Sequence, residues 1–123
     1  MKKILIVDDE KDLVEIMKLG LAPLGYEIFE AYDGNEGLEK ARQIKPDLII
    51  LDLMLPKMDG YQVCRMLKFD INYKDIPIIL LTARAAKKDI KIGEEAGADA
   101  FITKPFKHEV LKEKIGELLN RKY

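Results

Sequence analysis

Asp47-Leu48-Ile49-Ile50-Leu51-Asp52 sets four consecutive apolar side chains between two acids. Side chains alternate faces along a strand, so a strand with no polar position has both faces buried. Ile4–Val7 and Ile78–Leu81 read the same way. Three such runs fit the interior of a parallel sheet with helices on both sides. Two further runs are less uniform, Ile28–Ala31 and Ala100–Thr103. The first of these is flanked and broken by acids in Tyr26-Glu27-Ile28-Phe29-Glu30, as an edge strand tolerates.

Helix-period segments separate the runs. Leu13, Ile16, Met17, Leu21 and Leu24 fall on one face, and Pro23 and Gly25 mark that helix's end. Asp33-Gly34-Asn35 opens a second helix, which carries Leu38 and Ala41. Val63, Met66 and Leu67 mark a third, and Leu111, Ile115, Leu118 and Leu119 the last. The fourth, about Ala85–Ala96, has Ile90 and Ala96 as nearly its only core-facing residues. Strand and helix thus alternate five times, which predicts an α/β domain with a doubly wound parallel sheet. Right-handed crossovers favour the flavodoxin-like (βα)5 arrangement with strand order 2-1-3-4-5.

Composition agrees with one domain over residues 1–123. The chain is 48% hydrophobic and carries 21 basic and 22 acidic side chains, a net charge of -1. That balance points away from direct nucleic-acid binding. Residues 1–62 carry 8 basic and 13 acidic groups (-5), and residues 63–123 carry 13 and 9 (+4). Cys64 is the only cysteine, so neither an internal disulfide nor a cysteine metal motif is available. No apolar run approaches a membrane span, and the N-terminal run is too short for a secretion signal. A cytoplasmic location is expected.

In an open α/β sheet, chemistry belongs at the carboxyl ends of the strands. Asp8, Asp9 and Glu10 follow the first run, Asp52 the third, Thr82 the fourth, and Lys104 and Pro105 the fifth. Taken singly, Asp8 and Asp9 read equally well as helix caps, and Lys104-Pro105 as a loop before a helix. Taken together they place acids, a hydroxyl and an ammonium at one sheet edge. Clustered carboxylates repel, and Mg²⁺ with its preference for one or two carboxylates, water and phosphate relieves them. Asp52 is the candidate nucleophile, since a carboxylate can form an acyl phosphate.

These blocks resemble the receiver domains of two-component response regulators. The resemblance rests on Ile6-Val7-Asp8-Asp9-Glu10, Asp47 to Pro56, Met58-Asp59-Gly60, Ile78 to Ala83, Gly97-Ala98-Asp99-Ala100 and Thr103-Lys104-Pro105-Phe106. It implies that Asp52 accepts a phosphoryl group from a sensor histidine kinase or a phosphotransfer protein, as in a phosphorelay. It implies Mg²⁺, with Mn²⁺ as a substitute, bound directly by Asp9 and Asp52, by the backbone carbonyl of Met54, and by Asp8 through water. Lys104 would contact the phosphoryl group, Thr82 would move toward it, and Phe101 would turn inward with Thr82. The surface formed by the fourth and fifth strands and helices would then shift to control a protein target or an output domain, and slow self-dephosphorylation would reset it. The Lys104-Pro105 bond is expected to be cis. A monomer, or a weak dimer formed on phosphorylation, is expected. Ile90, Ala100 and Glu113 depart from the charged pairs through which the winged-helix members dimerise.

Rival readings fit less well. A phosphatase of the haloacid dehalogenase type wants a second Asp two residues past the nucleophile, where this chain has Met54. A flavodoxin-like electron carrier needs a phosphate-cradling loop where Asp8-Asp9-Glu10 stands. A pseudo-receiver would not need Asp9, Asp52, Thr82 and Lys104 together. The chain is therefore expected to carry self-phosphorylation and autodephosphorylation chemistry without being a turnover enzyme. Cys64 reads as a small core or semi-buried residue rather than a redox centre, and His108, the only histidine, as a surface residue.

Overall fold

The computed structural model describes residues 1–83 and 87–120. The elements run β1 (Lys3–Val7), α1 (Lys11–Leu21), a 3₁₀ turn (Ala22–Leu24), β2 (Glu27–Ala31), α2 (Gly34–Ile44), β3 (Leu48–Asp52), α3 (Gly60–Lys68), β4 (Ile78–Thr82), α4 (Lys87–Glu95), β5 (Ala100–Thr103) and α5 (His108–Leu119). All four strand pairings are parallel, and the order is β2-β1-β3-β4-β5, as expected from the alternation. The acid-interrupted β2 is indeed an edge. The expected start of the fourth helix at Ala85 lies outside the described residues.

The uninterrupted apolar strands feed two separate cores. Ile4, Ile6, Leu48, Ile50, Ile79 and Leu81 point to one face, where they meet Val14, Met17 and Leu21 of α1 and Leu111, Ile115 and Leu118 of α5. Leu5, Val7, Ile49, Leu51, Ile78 and Leu80 point to the other, against Leu38 and Ala41 of α2, Val63, Cys64 and Leu67 of α3, and Ala96 just past α4. The period-two alternation of a strand assigns each residue its layer. Each fully buried Leu or Ile contributes about 1.5–3 kcal/mol relative to exposure.

Two helices bury only part of the face expected. In α1 the buried residues are Val14, Met17 and Leu21, while Ile16 is 63% exposed and Leu24, in the turn beyond, 50%. In α3 Cys64 is buried and Met66 faces outward. Both helices carry more apolar residues than one face can hold, and burial goes to the residues nearest the sheet. Local signals at the ends behave as read. Gly25 (φ 91°) closes the turn after α1, and the Asp33 side chain accepts a hydrogen bond from Glu36 N at 2.8 Å to cap α2. Asp59 and Gln62, not among the expected helix starts, form a reciprocal capping box on α3. His108 differs from its expected place. Its ring lies against Gly20 of α1, and its Nε2 is buried with no hydrogen-bond partner among the described residues. No described helix is long and apolar enough to cross a membrane.

Candidate phosphoacceptor site

Parallel register brings the three acid-bearing and basic loops to one edge. β1 and β3 are neighbours, so the residues that follow Val7 stand beside Asp52, the last residue of β3. Asp52 pairs with Leu81, which puts Thr82 one step beyond it on β4. Thr82 pairs with Thr103, and Lys104 N donates to Thr82 O at 2.7 Å. The Lys104-Pro105 bond is cis.

Lys104 is the centre of the arrangement. Its Nζ lies 2.9 Å from Asp8 Oδ2, 3.1 Å from Glu10 Oε1 and 3.2 Å from Asp52 Oδ2. Asp8, Glu10 and Asp52 each offer a carboxylate oxygen within 4.8 Å of the other two. Three carboxylates against one ammonium leave two negative charges in excess. Asp8 and Asp52 are buried, whereas Glu10 is exposed. Asp8 Oδ1 accepts Glu10 N at 2.9 Å, and Asp52 Oδ1 accepts Met54 N at 3.3 Å.

The electrostatics follow from burial. Desolvation, then the charge of Asp8, pushes the Asp52 carboxyl above the ordinary carboxylate value, against the opposing pull of Lys104. Burial by itself would lower Lys104, but the Asp8 carboxylate 2.9 Å away and the charge of Asp52 outweigh that and raise it, so the ammonium stays protonated. Asp8 Oδ2 sits at ion-pair distance from Lys104 yet accepts no well-directed hydrogen bond among the described residues. A buried carboxylate oxygen left this way, in a cluster with excess negative charge, fits a hard divalent cation with oxygen ligands.

The site residues expected from sequence are not all gathered. Asp8 and Asp52 both contact Lys104, and buried Thr82 stands at the neighbouring strand end. Asp9 is exposed and stands outside the carboxylate cluster, where Glu10 appears instead. Of three consecutive acids on the turn, Asp8 and Glu10 converge on Lys104, and sequence alone does not say which face the sheet edge. Met54 is exposed, with its backbone N–H engaged by Asp52. Phe101 is half-buried on the side of the sheet that holds α3 and α4. Beside Lys104, a cleft of about 350 Å³ is lined by Glu10, Leu13, Ala83, Lys104, Pro105 and Phe106.

Residues 4–116 match the sequence pattern of the response regulator receiver domain. The chain belongs to that family. The receiver is 43% identical over 120 residues to the alkaline phosphatase synthesis transcriptional regulatory protein PhoP of Bacillus subtilis, covering 98% of this chain and 49% of that one. It spans about half the length of the curated relatives it matches. A response regulator of Chloroflexus aurantiacus superposes with a TM-score of 0.92 at 35% identity, with 98% of each chain covered. The receiver domain of the sensor histidine kinase PA1611 from Pseudomonas aeruginosa superposes at 0.89 and 30% identity, with 98% of each covered. That structure is described with a magnesium ion coordinated in its active-site cleft.

Proposed function

We propose that this receiver is a phosphorylation-operated switch whose acceptor is Asp52. The observation that carries the reading is the contact of one ammonium, Lys104, with the carboxylates of Asp8, Glu10 and Asp52 at the edge where four strands end. An Asp52 oxygen attacks the phosphorus of a phosphohistidine. The P–N bond breaks, the imidazole leaves with its electron pair, and an aspartyl phosphate forms. Lys104 stands where it offsets the charge that develops on the transferred oxygens. Thr82, at the neighbouring strand end, offers a hydroxyl to one of those oxygens.

Mg²⁺, with Mn²⁺ as a substitute, would neutralise negative charge during transfer. Asp9 and Asp52 are proposed to hold it directly, with the Met54 carbonyl, and Asp8 to act through water. Asp9 is exposed to solvent on the loop between the two acids that approach Asp52. The magnesium ion described in the active-site cleft of the Pseudomonas aeruginosa domain supports the choice of metal. The donor is proposed to be a sensor histidine kinase or phosphotransfer protein that enters by the cleft of Glu10, Leu13, Pro105 and Phe106. The listener is proposed to be a protein target or output domain on the surface of β4, α4, β5 and α5.

Acetyl phosphate with Mg²⁺ tests the reading. The protein should gain a phosphoryl group that hydroxylamine removes, that EDTA prevents, and that decays slowly after the donor is withdrawn. Turnover of external phosphomonoesters without protein labelling would replace the switch with a phosphatase.

A further inference from the structure

α4 contains Gly93, although glycine is the poorest helix former after proline. Its backbone angle is not the reason, because only Gly25 and Gly97 have positive φ among the described glycines. Space is the reason. A Cβ on Gly93 would land on Phe101 Cε1, 2.7 Å from Phe101 Cζ and 3.1 Å from Leu80 Cδ1. Gly116 of α5 shows the contrast, since a Cβ there would meet nothing within 4 Å. Gly93 is buried, and Phe101 pairs with Leu80 across β5 and β4. The ring of Phe101 therefore occupies the volume of a missing helix side chain, with Leu80 as the floor. Thr82 lies two residues beyond Leu80 on the same strand.

We infer that Gly93 is a positioning residue for the switch, a notch in α4 that seats the Phe101 ring beside Leu80 and ties helix to strand. The inference rests on the phosphorylation reading given above. A packed interior does not yield continuously, so a ring held by the helix backbone moves only when the helix moves or the notch changes. An alanine methyl in the notch evicts the ring and disfavours the arrangement that takes the phosphoryl group.

The test is a double-mutant cycle on the rate of Asp52 labelling by acetyl phosphate, with thermal stability measured alongside. Gly93→Ala should slow labelling several-fold when residue 101 is Phe, and should change nothing when added to Phe101→Ala. A purely structural effect of Ala, its better helix propensity, would alter stability alike in both backgrounds and leave labelling untouched. Wild-type labelling by Gly93→Ala, or equal slowing in both backgrounds, overturns the seat and spares the switch. Absence of labelling in the wild type overturns the switch, and the seat's role with it. Should Gly93→Ala not fold, folding of Gly93→Ala/Phe101→Ala supports the seat, and failure of that pair overturns it.

Discussion

Lys104→Met removes the ammonium from among three carboxylates while keeping most of the side chain's length. At about 3 Å and an effective dielectric of about 20, each contact is worth about 5 kcal/mol before desolvation. Asp8 and Asp52 are almost wholly buried, so their contacts with Lys104 count; Glu10 is exposed and screened, so its contact adds little. Breaking a buried charge set by removing one partner costs about 3–5 kcal/mol. The lower end applies, because the cleft is open to solvent, and about 3 kcal/mol corresponds to about 12 °C for a chain of this size. Lys104 has its pKa raised in the fold, so its stabilisation is complete at neutral pH and is lost only as pH rises through that raised value. Melting of wild type and variant at neutral pH, in EDTA and in MgCl₂, is the assay. The variant should melt far below wild type in EDTA. A cation at about a hundred times its Kd restores about 2.7 kcal/mol, so MgCl₂ should close most of the gap. Equal melting in EDTA, or a larger Mg²⁺ effect on wild type than on the variant, would refute the electrostatic argument.

Further outcomes follow from single contacts. A Cβ on Gly34 would fall on the Met58 carbonyl oxygen, 2.8 Å from the carbonyl carbon, and backbone cannot swing aside. Gly34→Ala should therefore lose about 1–3 kcal/mol in urea denaturation. It should also bind Mg²⁺ more weakly by calorimetry, because the displaced loop carries Met54. Asp33 has its pKa held below the ordinary value, first by its hydrogen bond from Glu36 N. The stabilisation is present above the unfolded pKa and is lost as pH falls through the depressed one. Melts across acid pH should accordingly show Asp33→Ala less stable than wild type at neutral pH, with the difference vanishing in strong acid.

Strand placement was legible because four apolar residues in a row leave only one kind of sheet position. Leu48–Leu51, Ile4–Val7 and Ile78–Leu81 are buried on both faces, as their pattern required. The helix faces were less so. Ile16 and Leu24 share a helical stripe with Met17 and Leu21, but hydrophobic residues are not confined to interiors, and Val14 took the buried place. At the site, Asp52 and Lys104 stood out because each ends a different strand. Glu10 stands with Asp8 and Asp9 in the sequence but takes no role there, and only the turn after β1 decides that it, with Asp8, faces Lys104. His108 carried no pattern to betray the small space above Gly20 into which it packs.

Reduction of the acetyl-phosphate-treated protein with borohydride, followed by peptide mapping, locates the modified carboxyl directly. The mark should fall on Asp52, require Mg²⁺, and disappear in Asp52→Asn. A mark on Asp8, Asp9 or Glu10 in the wild type, or one that survives in Asp52→Asn, would contradict the assignment of the nucleophile.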